Sequence, residues 1–443
     1  MITKMSKKTY YQDQTLHALE NFPFALPPVQ LEIVYAIVTV KKATAIANEK
    51  TKRIPKNILH GILQACEEIL SGKFDDQFVT CSLQGGAGTS MHMNVNEVIA
   101  SRAEELLTNG LKTHVHPNDH VNSSQSTNDV NPSALKLASI TLTNKLLLRL
   151  IILEKTLKKR AKENKTVLKL ARTHIQDAVP TTIGAEFFSY AAIIERDRKR
   201  IEKTLKNFYE LNLGGTAIGN SINASKEYIR EAYKALYQIT HIPFRPAKNF
   251  MSQTSASSDF VELSSAITIC ALDLSKIAAD IRFMASGPNG GIGEITLPPL
   301  QKGSSIMPGK INPVIPESVN QMYYFVLGKD MTIREAAHNA SLELGIMFPI
   351  LADSLITMIK VTDTAVDIFT RKCIGILQVN KERCKELLEN STAYATLLNT
   401  SLGYDKMTQL VKEAHEKKSP FKTLLKTNNV ITEEKLYALL ASL

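Results

Sequence analysis

The chain has 443 residues, of which 44% are hydrophobic and 22% charged, and its formal net charge is +10. This length allows two or three domains with a large core, and the composition is that of a folded globular protein. The positive charge is spread over many predicted helix faces. A nucleic-acid-binding surface would show a concentrated basic patch or interleaved aromatic residues, so we expect no nucleic-acid partner.

Helical periodicity dominates the predicted elements. A helix over 31–49 is followed by one that begins near Pro55 and ends at Gly72, and then by a helical stretch over 96–107. Longer helices are predicted over 133–165, 185–211, 256–285 and 317–371. Polar breaks at 171–184, 212–224 and 286–316 separate them, and few alternating strand patterns occur.

These lengths predict a mainly α subunit of three domains. Several helices exceed 25 residues and are apolar on more than one face, which is typical of helices buried in a bundle, often an oligomeric one. We expect an N-terminal, mostly helical domain with site loops at 1–128. A central domain with a long helical bundle follows at 129–377, and a small C-terminal helical domain at 378–443.

Cysteine usage and hydropathy predict the cellular environment. The five cysteines, at positions 66, 81, 270, 373 and 384, form no Cys-x-x-Cys pair, which favours reduced thiols over disulfides or zinc. The N-terminal residues lack the apolar segment of a signal peptide. The most apolar stretch, 146–153, is too short to span a bilayer. We therefore expect a soluble, cytoplasmic protein with no membrane contact.

Four polar loops contain the candidate functional residues, at 85–90, 125–129, 172–177 and 303–314. The last reads Gly-Ser-Ser-Ile-Met-Pro-Gly-Lys-Ile-Asn-Pro-Val, so it combines hydroxyl groups, a lysine and an amide in a flexible segment that suits a small anionic ligand. For a single loop, helix capping by Asn128 or Ser133 is the simpler interpretation. Four such loops together with Lys310 favour a binding site.

The 303–314 loop resembles, almost residue for residue, the signature of the fumarase/aspartase superfamily. The resemblance extends from Thr15-Leu-His-Ala-Leu-Glu-Asn21 to Leu402-Gly-Tyr404. Several segments are similar to aspartate ammonia-lyases (aspartases) rather than to class II fumarases, which tend to show Gly-Ser-Gly-Thr, Ser-Ser-Asn-Asp and Asp-Ala-Thr-Pro. These segments are Gln84-Gly-Gly-Ala-Gly-Thr-Ser90, Ser126-Thr127, Asp177-Ala-Val-Pro180 and Pro313-Val-Ile-Pro-Glu317.

This resemblance implies a lyase of amino-acid metabolism that reversibly deaminates L-aspartate to fumarate and ammonia. It also implies a homotetramer whose sites are shared between subunits, with no cofactor and no metal. Ser304 would be the base that removes the C3 proton, which gives an aci-carboxylate intermediate, and His174 would lie near the leaving amine. The positions implied for substrate binding are Thr89, Ser126, Thr127, Asn128, Thr173, Ser305, Lys310 and Asn312.

The implied binding roles differ from residue to residue. The hydroxyl groups of Thr89, Ser126 and Thr127, with loop N–H groups near Ser305, would donate hydrogen bonds to the aci-carboxylate. The α-carboxylate would pair with Lys310, helped by Asn312 and Thr173. Like His174, Asn128 would lie near the amine.

Alternatives to aspartate deamination stay open. The chain would also suit a class II fumarate hydratase, a superfamily lyase for another succinyl or amino-acid substrate, or a catalytically silent helical scaffold of the same fold. His114, His116 and His120 superficially suggest a metal site, although no cysteine or second acidic cluster accompanies them. His17, His92 and Asn289 depart from the family pattern, and we expect them around the pocket, where they bear on substrate identity and activity.

Overall fold

The computed structural model describes residues 8–107 and 113–441; predictions that concern 1–7, 108–112 or 442–443 lie outside these ranges. Helices make up most of the described chain. In chain order they are α1 (Asp13–Asn21), α2 (Leu31–Lys50), α3 (Lys56–Leu70), α4 (Thr89–Leu107), α5 (Thr127–Glu163), α6 (Ile183–Thr204), α7 (Lys226–Thr240), α8 (Phe250–Ser255), α9 (Ser258–Met284), α10 (Val314–His338), α11 (Phe348–Phe369), α12 (Lys381–Glu389), α13 (Tyr394–Leu402), α14 (Tyr404–Glu416), α15 (Phe421–Thr427) and α16 (Glu433–Ala441).

Within residues 8–107 and 113–441, six short strands form three two-stranded sheets. Strands β1 (Leu168–Thr173) and β2 (Gln176–Thr182) pair as an antiparallel hairpin. The others are β3 (Glu210–Leu211) parallel to β4 (Arg245–Pro246), and β5 (Ile295–Thr296) antiparallel to β6 (Gln378–Val379). The mainly α class is therefore confirmed. No helix in the described ranges is both long and apolar enough to cross a membrane.

The described residues form two compact units. Unit 1 takes those of 1–147, 200–268 and 325–362, and unit 2 takes those of 148–199, 269–324 and 363–443. Each of the five long helices, α5, α6, α9, α10 and α11, has residues in both. The three-domain division at 128 and 377 is not tested by this grouping and stays a prediction.

Helix α2 is central to unit 1. It packs against α3, α4 and α7, and its buried residues include Ile33, Val34, Ile37 and Val38, which lie on more than one face. A helix that is apolar nearly all round is stable only when neighbours cover it on several sides. This packing explains why the apolar residues of α2 are not confined to one face of the helix.

In unit 2 the C-terminal helices α12–α16 have a core of their own. Tyr394, Leu398, Phe421 and Leu424 are buried there, and Leu170 of β1 belongs to the same cluster. The hairpin β1–β2 therefore has one residue anchored in this apolar core. Its tip, which carries a predicted site residue, is exposed.

Most predicted helices are confirmed, with α2, α3 and α9 close to their expected bounds, but four expectations were wrong. Helix α4 begins at Thr89 rather than 96. Helix α5 begins at Thr127 rather than 133. The predicted helix over 317–371 is two helices, α10 and α11, separated at 339–347, where Leu342 has a left-handed φ of 49°. The polar break at 171–184 is largely the hairpin β1–β2.

Candidate active site

Four predicted site residues of unit 1 lie at or near the N-terminus of α5. Ser126 precedes the helix and caps it: its Oγ accepts from the N–H of Asn128 at 3.2 Å, while its own N–H donates to Oδ1 of Asp129 at 2.9 Å. This reciprocal pattern is a capping box. The capping role considered for Asn128 or Ser133 therefore falls to Ser126, whose hydroxyl oxygen is partly engaged by the backbone.

Asp129 ties this helix start to a second loop of unit 1. Its carboxylate is fully buried, and its Oδ2 accepts from the N–H groups of Gly214 and Thr216 at 2.9 and 3.0 Å. Burial raises the pKa of this carboxyl to about 6, while the three N–H donors and Lys41 act to lower it. Sequence reasoning missed Asp129, because an acidic residue in the first turn of a helix is ordinary.

Asn128 bonds to the same part of unit 1 through both its side chain and its backbone. Its Nδ2 donates to the carbonyl of Ala217 at 2.8 Å, and its own carbonyl accepts from Nδ2 of Asn212 at 2.9 Å. That carbonyl is available because Pro132, four residues on, has no N–H to donate to it. Pro132 thus permits, rather than breaks, the early start of α5.

Thr127, the first residue of α5, contacts a histidine of α4. Its Oγ1 lies 2.8 Å from Nδ1 of His92, whose side chain is 1% exposed. Burial, with a smaller effect of Lys41, lowers the pKa of His92 well below its usual value, so the ring is neutral. The sequence had marked His92 only as a departure from the family pattern; the structure brings it into direct contact with a predicted substrate-binding residue.

Thr89 begins α4 at the end of the glycine-rich loop. Its Oγ1 donates to the carbonyl of Gly86 at 2.6 Å, and its side chain is exposed. At the neighbouring Gly88, φ is +89° and a Cβ would lie 2.7 Å from Nδ2 of Asn131 in α5. Glycine is therefore required for the loop to approach α5 this closely. Thr89 and the start of α5 accordingly belong to one packed assembly in unit 1.

A polar cavity of about 710 Å³ opens beside this assembly. It is lined by residues of the 118–126 segment, including Ser126, by residues of the 216–223 segment, and by Arg53. Its volume lies in the range of small-molecule sites. Within unit 1, the structure thus places Ser126 at the edge of a space large enough for a small ligand.

In unit 2, Thr173 and His174 lie at the tip of the β1–β2 hairpin. The two-residue loop is His174-Ile175, and both residues have positive φ, 55° and 63°. Such a turn normally takes asparagine and glycine, and a β-branched residue in the left-handed region is strained. His174 and Ile175 are exposed, with Ile175 at 71%. Strain at an exposed turn points to a functional constraint rather than a packing one.

A buried ion cluster fixes the base of this hairpin. Glu294, fully buried, accepts from Nη1 of Arg172 at 2.8 Å, and its other oxygen lies 2.9 Å from Nζ of Lys169. Lys169 also pairs with Glu186 at 2.7 Å. Arg172 directly precedes Thr173, and Glu294 precedes β5 and the 303–314 loop. The cluster therefore links the two segments of unit 2 that contain predicted site residues, and sequence reasoning missed it.

The Ser304 hydroxyl sits inside a turn of its own loop. Its Oγ accepts from the N–H groups of Ile306 and Met307 at 3.1 and 3.0 Å. Two converging N–H donors stabilise negative charge on the oxygen that accepts from them. A neutral serine commonly makes such a turn with its own backbone, and the same two donors would also face a negatively charged oxygen at this position.

The ends of the Ser304 loop are held together at its base. Nδ2 of Asn312 donates to the carbonyl of Gly303 at 2.6 Å, and a Cβ at Gly303 would lie 1.9 Å from the Lys310 carbonyl. One of the two N–H groups of the Asn312 amide is thus engaged in loop closure. Ser305 and Lys310 are exposed, and Lys310 forms no ion pair with any other described residue.

The histidines near residue 116 have local partners. Nδ1 of His114 lies 2.8 Å from Oε2 of Glu104, and Nδ1 of His116 accepts from the N–H groups of Asn118 and Asp119 at 3.3 and 3.1 Å. Nδ1 of His120 accepts from the N–H of His116 at 2.9 Å. Among the described residues, no three or more His, Cys, Asp or Glu side chains are grouped so as to hold a metal ion.

Comparison with known proteins identifies the family. The profile of the family described as Lyase matches residues 3–328. The chain belongs to the fumarase/aspartase superfamily of lyases. It is 42% identical to aspartate ammonia-lyase of Bacillus subtilis (strain 168), over 96% of this chain and 90% of that protein.

Two solved structures share the superfamily fold. One is described as fumarate lyase:delta crystallin from Brucella melitensis bound to cobalt, with a TM-score of 0.92 and 40% identity, covering 98% of this chain and 95% of that one. The other is class II fumarase from Schistosoma mansoni, with a TM-score of 0.93 and 33% identity over the same shares. The predicted family, fold class and lyase activity are thereby confirmed.

Proposed function

We propose that this lyase catalyses the reversible deamination of L-aspartate to fumarate and ammonia. The observation that carries the proposal is the Ser304 turn, because a serine can act as a base only if its alkoxide is stabilised. Two hydrogen bonds to a charged oxygen contribute about 1.5–3 kcal/mol each. The N–H groups of Ile306 and Met307 are oriented to supply them.

In the proposed reaction the Ser304 alkoxide takes the C3 proton of L-aspartate. The electron pair of the C3–H bond moves into the neighbouring carboxylate and forms the aci-carboxylate. As that pair returns to form the C2–C3 double bond, the C2–N bond breaks and ammonia leaves. The hydroxyl groups of Thr89, Ser126 and Thr127, with N–H groups near Ser305, are the proposed donors to the aci-carboxylate. For this role the Thr89 hydroxyl proton would have to turn from the Gly86 carbonyl to the ligand.

The remaining site residues bind the other end of the substrate. The Lys310 ammonium is exposed and has no ion-pair partner among the described residues, which suits it to the α-carboxylate. Thr173 and Asn312 are proposed beside it, and Asn312 has a second amide N–H for the substrate while it keeps its bond to Gly303. Asn128 and His174 are assigned to the leaving amine; the exposed, strained turn at His174 supports its role.

We further propose that the enzyme is a homotetramer whose sites combine residues of different subunits. Several long helices expose large apolar side chains, which is typical of an association surface. Examples are Leu148 and Ile152 on α5, and Tyr324, Phe325 and Met331 on α10. Joining copies of the chain through these helices would cover such residues. A cytoplasmic location remains our prediction.

Fumarate hydration is the second candidate, since the Schistosoma mansoni fumarase shares the fold at a TM-score of 0.93. The two reactions differ in the leaving group, so a parallel assay separates them. Purified protein is offered L-aspartate or L-malate, and fumarate is followed by its ultraviolet absorbance, with the Ser304→Ala variant as control. We expect fumarate from aspartate alone. If fumarate forms from malate alone, the proposal of aspartate deamination is wrong and the enzyme is a fumarate hydratase.

A further inference from the structure

The contact between His92 and Thr127 points to a function for a residue that the family pattern does not explain. His92 lies on α4, one helical turn after Thr89, and its Nδ1 is 2.8 Å from Oγ1 of Thr127. Both side chains belong to unit 1. Thr127 is half-buried, whereas His92 is 1% exposed.

The neutral His92 ring has two tautomers, and they orient the Thr127 hydroxyl in opposite ways. If Nδ1 carries the hydrogen, the ring donates to Oγ1 and leaves the threonine proton free to donate elsewhere. If Nε2 carries it, the threonine must donate inward to Nδ1 and can offer only a lone pair to a ligand. The tautomer therefore decides whether Thr127 can donate to a carboxylate.

The burial of Nε2 discriminates between the two tautomers. This nitrogen is buried and has no hydrogen-bond partner in the described part of the chain. A buried N–H without an acceptor is costly and rare, and an unused acceptor lone pair is tolerated more often. The Nδ1–H tautomer leaves only a lone pair unpaired at Nε2, so the environment favours the form that donates to Thr127.

We propose that His92 is a positioning residue that donates from Nδ1 to Thr127 and thereby turns the threonine hydroxyl proton toward the anionic ligand. Because hydrogen bonds in a chain polarise one another, the donated bond also strengthens the one that Thr127 makes outward. This inference rests on the proposed function, in which Thr127 donates to the aci-carboxylate. In this arrangement His92 does not touch the substrate, but it affects how strongly Thr127 binds the transition state.

Two substitutions at position 92 provide the kinetic test. His92→Leu keeps the approximate size but removes the donor, so we expect kcat to fall about 10- to 100-fold with a smaller change in KM. His92→Asn restores an amide N–H near the position of Nδ1, and we expect it to recover most of the lost kcat. Equal loss in both variants, or wild-type kcat in His92→Leu, would overturn the inference.

A double-mutant cycle separates positioning from packing. Thr127→Val removes the hydroxyl at nearly constant shape, and adding His92→Leu to it should lower kcat little further, since His92 acts through Thr127. Asn96→Leu is the matched control, because Asn96 is buried on the same helix. We expect wild-type kcat in that control. Independent, additive losses at His92 and Thr127 would contradict the proposed route.

A spectroscopic readout does not depend on turnover. In protein labelled with 15N at its ten histidines, solid-state NMR should show a protonated Nδ1 and an unprotonated Nε2 for His92. The His92→Asn spectrum identifies these signals by their absence. The reverse tautomer would refute the inference even if the wild type deaminates aspartate. A wild type inactive on aspartate but with the expected tautomer would refute the proposed substrate alone.

Discussion

Removing the charge of Glu294 should destabilise the protein more than any surface substitution. Glu294 is fully buried and faces two cations, Arg172 at 2.8 Å and Lys169 at 2.9 Å. Glu294→Gln keeps the shape but removes the charge that faces Arg172, whose Nη1 also donates to the carbonyl of Leu170 within the hairpin. Breaking a buried ion pair by removing one partner costs about 3–5 kcal/mol. Lys169 still pairs with Glu186 in this variant, so we expect the free energy of unfolding to fall by about 3 kcal/mol, the lower end of that range.

The matched control is Glu186→Gln, because Glu186 binds the same lysine but its side chain is 27% exposed. The Glu186→Gln substitution should lower the free energy of unfolding by about 1 kcal/mol or less, since solvent screens the pair between Glu186 and Lys169. The measurement is the free energy of unfolding from urea denaturation at one fixed protein concentration. Equal stability of Glu294→Gln and wild type would refute the assignment, as would equal losses in the two variants.

The pKa of Lys169 sets the pH range in which the Glu294 ion pairs stabilise the protein. Burial lowers the pKa of its amine, but Glu186 and Glu294 outweigh burial and raise it above the usual value. A raised lysine pKa gives stability that is complete below the unfolded value and is lost as pH rises through the folded one. The difference between wild type and Glu294→Gln should therefore persist through the neutral range. Turnover should fall as well, because Arg172 directly precedes Thr173.

Three further predictions concern single residues. Ser304→Ala should abolish fumarate production while circular dichroism and oligomer size stay unchanged; substantial turnover would exclude Ser304 as the base. Ile175→Gly should stabilise the protein by about 0.5–1 kcal/mol in urea denaturation, because it relieves a left-handed β-branched residue that is largely exposed; a loss of stability would show that the turn is unstrained. The pKa of Asp129, raised to about 6 by burial, gives stability that is present below its unfolded value near 3.8 and is lost as pH rises through about 6. Between about pH 3.8 and pH 6 the free energy of unfolding of wild type should therefore fall by about 3 kcal/mol relative to that of Asp129→Asn. If the two proteins show parallel curves of unfolding free energy against pH, the raised pKa of Asp129 is contradicted.

Helix positions could be predicted where burial is set by local pattern. Helices α2 and α3 follow apolar periodicity and end near Thr51 and Ser71, close to where the sequence indicates. The break between α10 and α11 could not be predicted from the sequence, because Leu342, Leu344 and Ile346 continue the apolar content of the flanking helices. The hairpin was missed for a similar reason: Lys169 is a buried strand residue, and only its partners Glu186 and Glu294 make that burial possible.

The candidate site was predictable in its residue types but not in its supporting contacts. Ser304 and Lys310 were found from a loop signature, since short hydroxyl and cationic groups cluster there in sequence. His92, Asp129 and Glu294 act across 35, 85 and 122 positions of the chain through Thr127, Gly214 and Arg172. Such contacts depend on how helices pack and turn, and no spacing rule in the sequence encodes them.

The bond between Asn312 and Gly303 has an entropic consequence for the Ser304 loop. With both ends joined, the segment behaves as a small ring whose backbone is already restricted before any ligand arrives. Ordering a free residue costs about 1–2 kcal/mol, so a ring that is held at its base requires less of the ligand's binding energy than an open strand of equal length. Within the ring, the bonds from the N–H groups of Ile306 and Met307 hold the serine oxygen in a local turn, so its surroundings are formed in the same restricted backbone.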